Sequence, residues 1–212
     1  MTYKELLDRV GNLPVFTSGL LLAGDVNPVN IHKQLSRWTT AKKIIQLRRG
    51  VYTLAEPYRK IEPHPFTIGN RLVSPSYVSL QSALEYYNLI PEAVPQVTSI
   101  TSRYRTQKFD TPLGLFAFHH IKSQLFFGFS LEQVDIDQFV YLARPEKALL
   151  DLIYLTKQGH SMAFIEALRL QNCDQLDLAW MEKTARDSGM NKLIQAVKNL
   201  VTLISKEGSR WL

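Results

Sequence analysis

The spacing of apolar residues divides the chain into a helical opening, a strand-rich centre and a helical end. Tyr3, Leu6, Leu7 and Val10 recur at helical intervals, and Thr2 with Glu5 three residues on forms a capping box, so a helix is predicted to run from here until Gly11 and Pro14 stop it. Thr17 can cap a second short helix that reaches Ala23 and closes at Gly24 and Asp25. Asn27 followed by Pro28 marks a third start, with a strong N-cap residue and a proline where its missing N–H does no harm. At about 100° per residue, Ile31, Leu35 and Trp38 fall on one side of this helix and must face a core. His32, Lys33, Ser36, Arg37 and Thr40 lie on the other side. Two β-rich runs follow, 44–47 and 51–54, separated by Arg48, Arg49 and Gly50. They predict a hairpin whose glycine takes the left-handed position and whose tip is doubly cationic.

Pro57, Pro63, Pro65 and Pro75 disfavour continuous helix or sheet and predict a linker beginning near residue 57. Residues 1–60 are therefore expected to form one domain and residues 61–212 another. In the second, Ser79 can cap a helix whose core face is Leu80, Ala83, Leu84 and Tyr87, with Asn88 and Pro91 ending it. Short strands are expected over 97–101, 115–121, 125–129 and 139–143, with a turn at Thr111-Pro112-Leu113-Gly114. Helices are predicted over 145–155, 161–170, 174–187 and 191–206, with Gly189 and Gly208 as stops. The expected fold class is α+β. Three short helices and a hairpin read as an N-terminal winged helix-turn-helix domain. A larger α+β domain with a small antiparallel sheet and C-terminal helices is expected to follow.

Composition adds little until charge is divided along the chain. With 45% hydrophobic and 21% charged residues in 212, the sequence is that of an ordinary globular protein. The longest apolar runs, 20–23 and 125–129, fall far short of the roughly 18 residues that cross a bilayer. Lys4, Glu5, Asp8 and Arg9 stand where a secretory signal carries its apolar stretch, and the lone Cys173 cannot form an intrachain disulfide. A cytoplasmic protein is expected. Residues 1–60 hold ten Lys/Arg against four acids, whereas residues 61–212 hold fifteen of each. Between Val26 and Ala55 there are six Lys/Arg and no acid.

A concentrated positive field suits a polyanion, either nucleic acid or an anionic membrane surface. The membrane reading loses because the cations sit on a short helix whose other face is committed to a core. A helix face of hydroxyls and cations without a carboxylate suits a major groove between two phosphate backbones. The expected DNA contacts are Lys33, Ser36, Arg37 and Thr40 on the third helix, Lys42 and Lys43 on phosphate, and Arg48 and Arg49 at the hairpin tip. The expected partner is double-stranded DNA.

Enzyme constellations are weak. Gly19 and Gly24 have phosphate-loop spacing, but Asp25 rather than lysine follows and would repel a phosphate. His32, His64, His119, His120, His160 and Cys173 show no metal-ligand spacing, and His119-His120 on a strand points one ring in and one out. The sharpest rival is a nuclease using Asp135, Asp137, Glu146 and Asp151 with Lys147. In that set an acid at a helix start and a Lys147/Asp151 pair at i,i+4 have ordinary structural roles. A regulator whose larger half senses a small ligand is a second alternative. No catalytic residue, cofactor or metal is expected.

Four segments carry a family resemblance: Leu47-Arg48-Arg49-Gly50-Val51-Tyr52; Pro75-Ser76-Tyr77-Val78-Ser79-Leu80-Gln81-Ser82-Ala83-Leu84 with Tyr86-Tyr87-Asn88-Leu89-Ile90-Pro91; Thr111-Pro112-Leu113-Gly114; and Ala143-Arg144-Pro145-Glu146-Lys147-Ala148-Leu149-Leu150-Asp151. In order and spacing they resemble the AbiEi family, the antitoxin component of type IV abortive-infection toxin–antitoxin systems, over most of residues 30–155. Asn88 departs from the family's usual glycine, and both residues tolerate the same backbone. The resemblance implies a two-domain autorepressor that binds inverted repeats in its own promoter, as a monomer or a DNA-assembled pair. It also implies a larger domain that neutralises a co-encoded nucleotidyltransferase-like toxin without a stable complex. The charge pattern supports the DNA half independently; the antitoxin half comes from the resemblance alone.

Overall fold

A computed structural model describes residues 1–24 and 26–208. Asp25, where the second helix is expected to close, lies outside the described residues. Helix α1 (Tyr3–Val10) opens on the anticipated capping box, Thr2 Oγ1 accepting the Glu5 N–H at 3.3 Å and the Glu5 carboxylate accepting the Thr2 N–H at 3.0 Å. Strand β1 (Phe16–Thr17) follows, then helix α2 (Ser18–Leu21). This helix is shorter than the sequence suggests, and Thr17 makes no side-chain cap, because Phe16 and Thr17 pair with Tyr52 and Val51 as a strand. Helix α3 (Pro28–Thr40) is capped by Asn27, whose Oδ1 accepts from the N–H groups of Val29 at 3.0 Å and Asn30 at 3.3 Å. Strands β2 (Ile44–Arg48) and β3 (Val51–Leu54) form the hairpin, and β1, β3 and β2 make an antiparallel sheet in that order. Gly50, at φ +84°, takes the left-handed turn position that a side chain would strain.

The sheet is apolar on both faces. Ile44, Tyr52 and Leu54 join Leu6, Val10, Phe16, Leu21, Ile31 and Leu35 in a core beneath the three helices. Val15, Leu47 and Val51 belong instead to the larger core of the chain. Alternation along the strands produces this division, since successive residues point to opposite faces.

The proline-rich stretch in which a linker is expected to begin near residue 57 leads directly into ordered elements. Pro65 stands at the first position of helix α4 (Pro65–Leu72), where proline is at home, and His64 caps it. Strand β4 (Tyr77–Val78) and helix α5 (Leu80–Tyr86) follow. The remaining strands are β5 (Gln96–Thr101), β6 (Gln107–Thr111), β7 (Gly114–His120), β8 (Phe129–Asp135) and β9 (Gln138–Ala143).

The expectation of a small antiparallel sheet in this region is corrected. These strands form a six-stranded mixed sheet in the order β6-β7-β5-β4-β9-β8, with β5/β7 and β4/β9 parallel. Strand β6 is not predicted by the apolar pattern, because Gln107-Lys108-Phe109-Asp110-Thr111 offers one apolar residue at the sheet edge. The strand expected over 125–129 starts only at Phe129, since Ser123–Leu125 forms a 3-10 turn and Gly128 is left-handed at φ +75°. Helices α6 (Pro145–Leu155), α7 (Met162–Ala167), α8 (Leu178–Asp187) and α9 (Asn191–Gly208) close the chain. Helix α8 begins later than its pattern suggests because Asp177 is the cap, accepting the Trp180 N–H at 2.9 Å. The fold is mixed α+β, and no helix among the described residues is long and apolar enough to cross a membrane.

Candidate nucleic-acid interface

Helix α3 buries Ile31 and Leu35 and leans Trp38 on Tyr3, the ring centroids 5.5 Å apart. With that face fixed inward, His32, Lys33, Ser36, Arg37 and Thr40 are all exposed, as the helical spacing requires. Between α3 and the hairpin lies a cleft of about 360 Å³. It gathers Ser36 and Thr40 from the helix and Arg49 from the hairpin tip, and adds His32, Gln46 and Tyr52. The last two are cross-strand partners, and Tyr52 is itself braced on Phe16, with centroids 5.8 Å apart.

Not every expected contact enters this cleft. Lys33 and Arg37 are exposed on α3 but do not line it, and Arg48 is exposed on β2 outside it. Lys42 is exposed at a left-handed turn, φ 55°, between α3 and β2. Lys43 is half-buried, its ammonium 4.6 Å from the centre of the Tyr3 ring. Ser18, Thr39, Gln46 and Tyr52 line the cleft but are not among the contacts expected from sequence, although the outward alternation of Gln46 between Ile45 and Leu47 is a usable signal.

Among the described residues, none of Lys33, Arg37, Lys42, Lys43, Arg48 and Arg49 is in an ion pair. Two of the four acids in residues 1–60 are engaged elsewhere, Glu5 in the cap of α1 and Glu56 with Arg59 at 3.2 Å. A concave, hydroxyl- and amide-lined surface flanked by unpaired cations can accept phosphates on its rims and present donors and acceptors to base edges.

The acids of the nuclease reading do not converge. Asp151 lies inside α6, where its carboxylate accepts from the Tyr77 hydroxyl at 2.9 Å and the Ser79 hydroxyl at 2.8 Å and pairs with the Lys147 ammonium. Glu146, also buried, accepts from Arg144 Nε at 2.9 Å and from the Asp177 N–H at 2.8 Å. Asp135 and Asp137 stand instead at the β8–β9 turn, with the Asp135 carboxylate accepting the Ile136 N–H at 2.7 Å. No group of three His, Cys, Asp or Glu among the described residues could hold a metal ion.

A second cleft, of about 570 Å³, is lined largely by apolar side chains including Leu80, Ile90, Leu152 and Leu155, with His119 on its wall. Burial, and secondarily the nearby Lys108 charge, hold His119 below the usual imidazole range. The chain matches no protein-family model, and no curated protein matches it.

Proposed function

We propose that this protein is a DNA-binding transcriptional autorepressor of the AbiEi type. In this reading residues 1–60 act as a winged helix-turn-helix that lays α3 in the major groove and grips the adjacent backbone with the β2–β3 hairpin. Residues 61–212 form a second domain that opposes a co-encoded nucleotidyltransferase-like toxin in the cytoplasm without a stable complex. The observation that carries the DNA half is the cleft in which exposed Ser36 and Thr40 of α3 meet Arg49 of the hairpin, flanked by cations that pair with no acid among the described residues. The antitoxin half is supported by the sequence resemblance alone.

The test is binding of the purified protein to a duplex from its own promoter, followed by fluorescence anisotropy over a salt series. If Lys33, Arg37, Lys42, Lys43, Arg48 and Arg49 all contact phosphate, they contribute about −5 to the slope of log affinity against log salt. Arg48→Glu with Arg49→Glu should weaken binding to every sequence, while Arg37→Ala should also relax base preference. A slope near zero, or both variants binding like wild type, overturns the DNA reading. Growth rescue on co-expression with a neighbouring nucleotidyltransferase tests the antitoxin role, and continued arrest refutes it.

A further inference from the structure

The cleft of about 570 Å³ in the larger half is walled by segments that lie far apart in the chain. Leu80 opens α5, Ile90 stands in the loop after it, Leu152 and Leu155 end α6, and Leu168 follows α7, so most of the wall is aliphatic. A volume of this size falls within the roughly 300–1,000 Å³ of small-molecule sites. Leu80 is held at φ 59°, a left-handed conformation in which a bulky side chain is a genuine outlier, and strain of this kind clusters at ligand clamps.

The polar groups on the wall fall into two sets. Three are already committed: Thr98 Oγ1 donates to the Ser79 carbonyl oxygen at 2.7 Å, Thr156 Oγ1 donates to the Leu152 carbonyl oxygen at 2.8 Å, and the Glu92 carboxylate pairs with Arg169. The His119 ring and the side-chain amides of Gln81 and Gln96 have no hydrogen-bond partner among the described residues. The next ring along β7 differs, since His120 Nδ1 lies 3.0 Å from the Tyr104 carbonyl oxygen. A half-buried imidazole without a partner has given up water and received nothing in exchange. Held low by burial, His119 is neutral at neutral pH and offers one donor and one acceptor. Charge narrows the occupant further. Among the described residues Glu92 is the only Asp, Glu, Lys or Arg on the wall, and Arg169 already neutralises it. A carboxylate entering the cleft would find no free cation there, and an ammonium no free carboxylate.

We propose that this cleft binds an uncharged, largely apolar small molecule, whose body covers the aliphatic wall and whose polar group hydrogen-bonds His119. The site shares no lining residue with the cleft between α3 and the hairpin, and it would stand if the DNA reading fell. Carbazole, a flat uncharged compound with one N–H, tests it on the full chain through its fluorescence. Saturable binding of one molecule per chain is expected. Because its N–H can donate to the neutral imidazole, carbazole should bind about fivefold more tightly than fluorene, the hydrocarbon of the same shape. In His119→Leu that preference should vanish while fluorene binds as before, a split that a merely structural role for His119 would not produce. Leu168→Trp, which fills the cleft, should abolish saturable binding of both compounds at a matched thermal unfolding midpoint. If that variant does not fold, the comparison at His119 decides alone. Fluorene carboxylate should fail to displace carbazole. Absence of saturable carbazole binding overturns the site, as does undiminished binding by folded Leu168→Trp or a preference for the N–H that survives in His119→Leu. Displacement by the carboxylate overturns the assignment to an uncharged ligand.

Discussion

Lys147 and Asp151 sit one turn apart on α6 with side chains only 3% and 2% exposed, and this burial decides what each does. A charge moved out of water costs several kcal/mol unless partners replace the solvent. Asp151 has three: the Lys147 ammonium and the hydroxyls of Tyr77 and Ser79. Burial nevertheless holds the Asp151 carboxyl above the ordinary carboxylate range, against the pull of Lys147 and both hydroxyls. The Lys147 ammonium in turn lies 5.6 Å from the Tyr77 ring centre and 5.4 Å from that of Phe127. Asp151→Ala would leave that ammonium and two hydroxyls without an acceptor, so urea unfolding should show a loss of about 3–5 kcal/mol. Glu182→Ala, which removes the exposed partner of Arg186 at 3.6 Å, should change stability by less than about 1 kcal/mol. Equal costs for the two would mean that burial is not what makes the first pair matter. The i,i+4 spacing of Lys147 and Asp151 was legible in sequence. Their burial was not, because the two residues that donate to Asp151, Tyr77 of β4 and Ser79 just after it, stand more than seventy positions earlier, and no local pattern announces such a meeting.

At the scale of elements, the caps separate what the chain announces from what it conceals. Asn27-Pro28 is a strong start signal, and α3 begins there. His64-Pro65 does the same work for α4 but reads as linker, because histidine is an unusual cap and prolines cluster around it. The His64 ring serves as a cap only when neutral, since Nδ1 accepts the Phe66 N–H at 3.2 Å and a protonated ring has no acceptor. Burial holds this imidazole below its ordinary value of 6.5, with the Asp135 charge acting weakly the other way. The unfolded chain therefore takes up the proton first. The stabilisation is complete above pH 6.5 and is lost as pH falls from there through the folded-state value. His119, also held low, adds to the same trend. Thermal midpoints should be level above about pH 7 and fall toward about pH 5.5, and His64→Asn, which keeps a cap acceptor without a titrating ring, should fall less steeply. Parallel curves for the two proteins would place the pH dependence elsewhere. Strand β6 is the counterexample to reading elements locally: its edge position asks for little apolar surface, so its composition resembles a loop.

Across the whole molecule the charge boundary and the packing boundary differ. Positive charge is concentrated before residue 60, yet the apolar cluster of the larger half reaches back to Val15, Leu47 and Val51. The run 51–54 is buried at every position, which signals cover on both faces, but the sequence does not say which element supplies the second cover. The structure supplies it from the six-stranded sheet, through β6 lying against β2. Each such aliphatic side chain is worth about 1.5–3 kcal/mol when buried, so three of them amount to roughly the whole stability of a domain of sixty residues. A fragment of residues 1–60 should therefore unfold at a markedly lower temperature than the full chain, or without a cooperative transition, followed by circular dichroism. The six cations between Val26 and Ala55 remain, so under the proposed function DNA binding by the fragment should keep the salt dependence of the hairpin and α3 while losing affinity. A fragment that melts with the full chain would show that the back of the hairpin needs no cover. The larger half would then be only an attached passenger to residues 1–60, and not the support on which the hairpin rests.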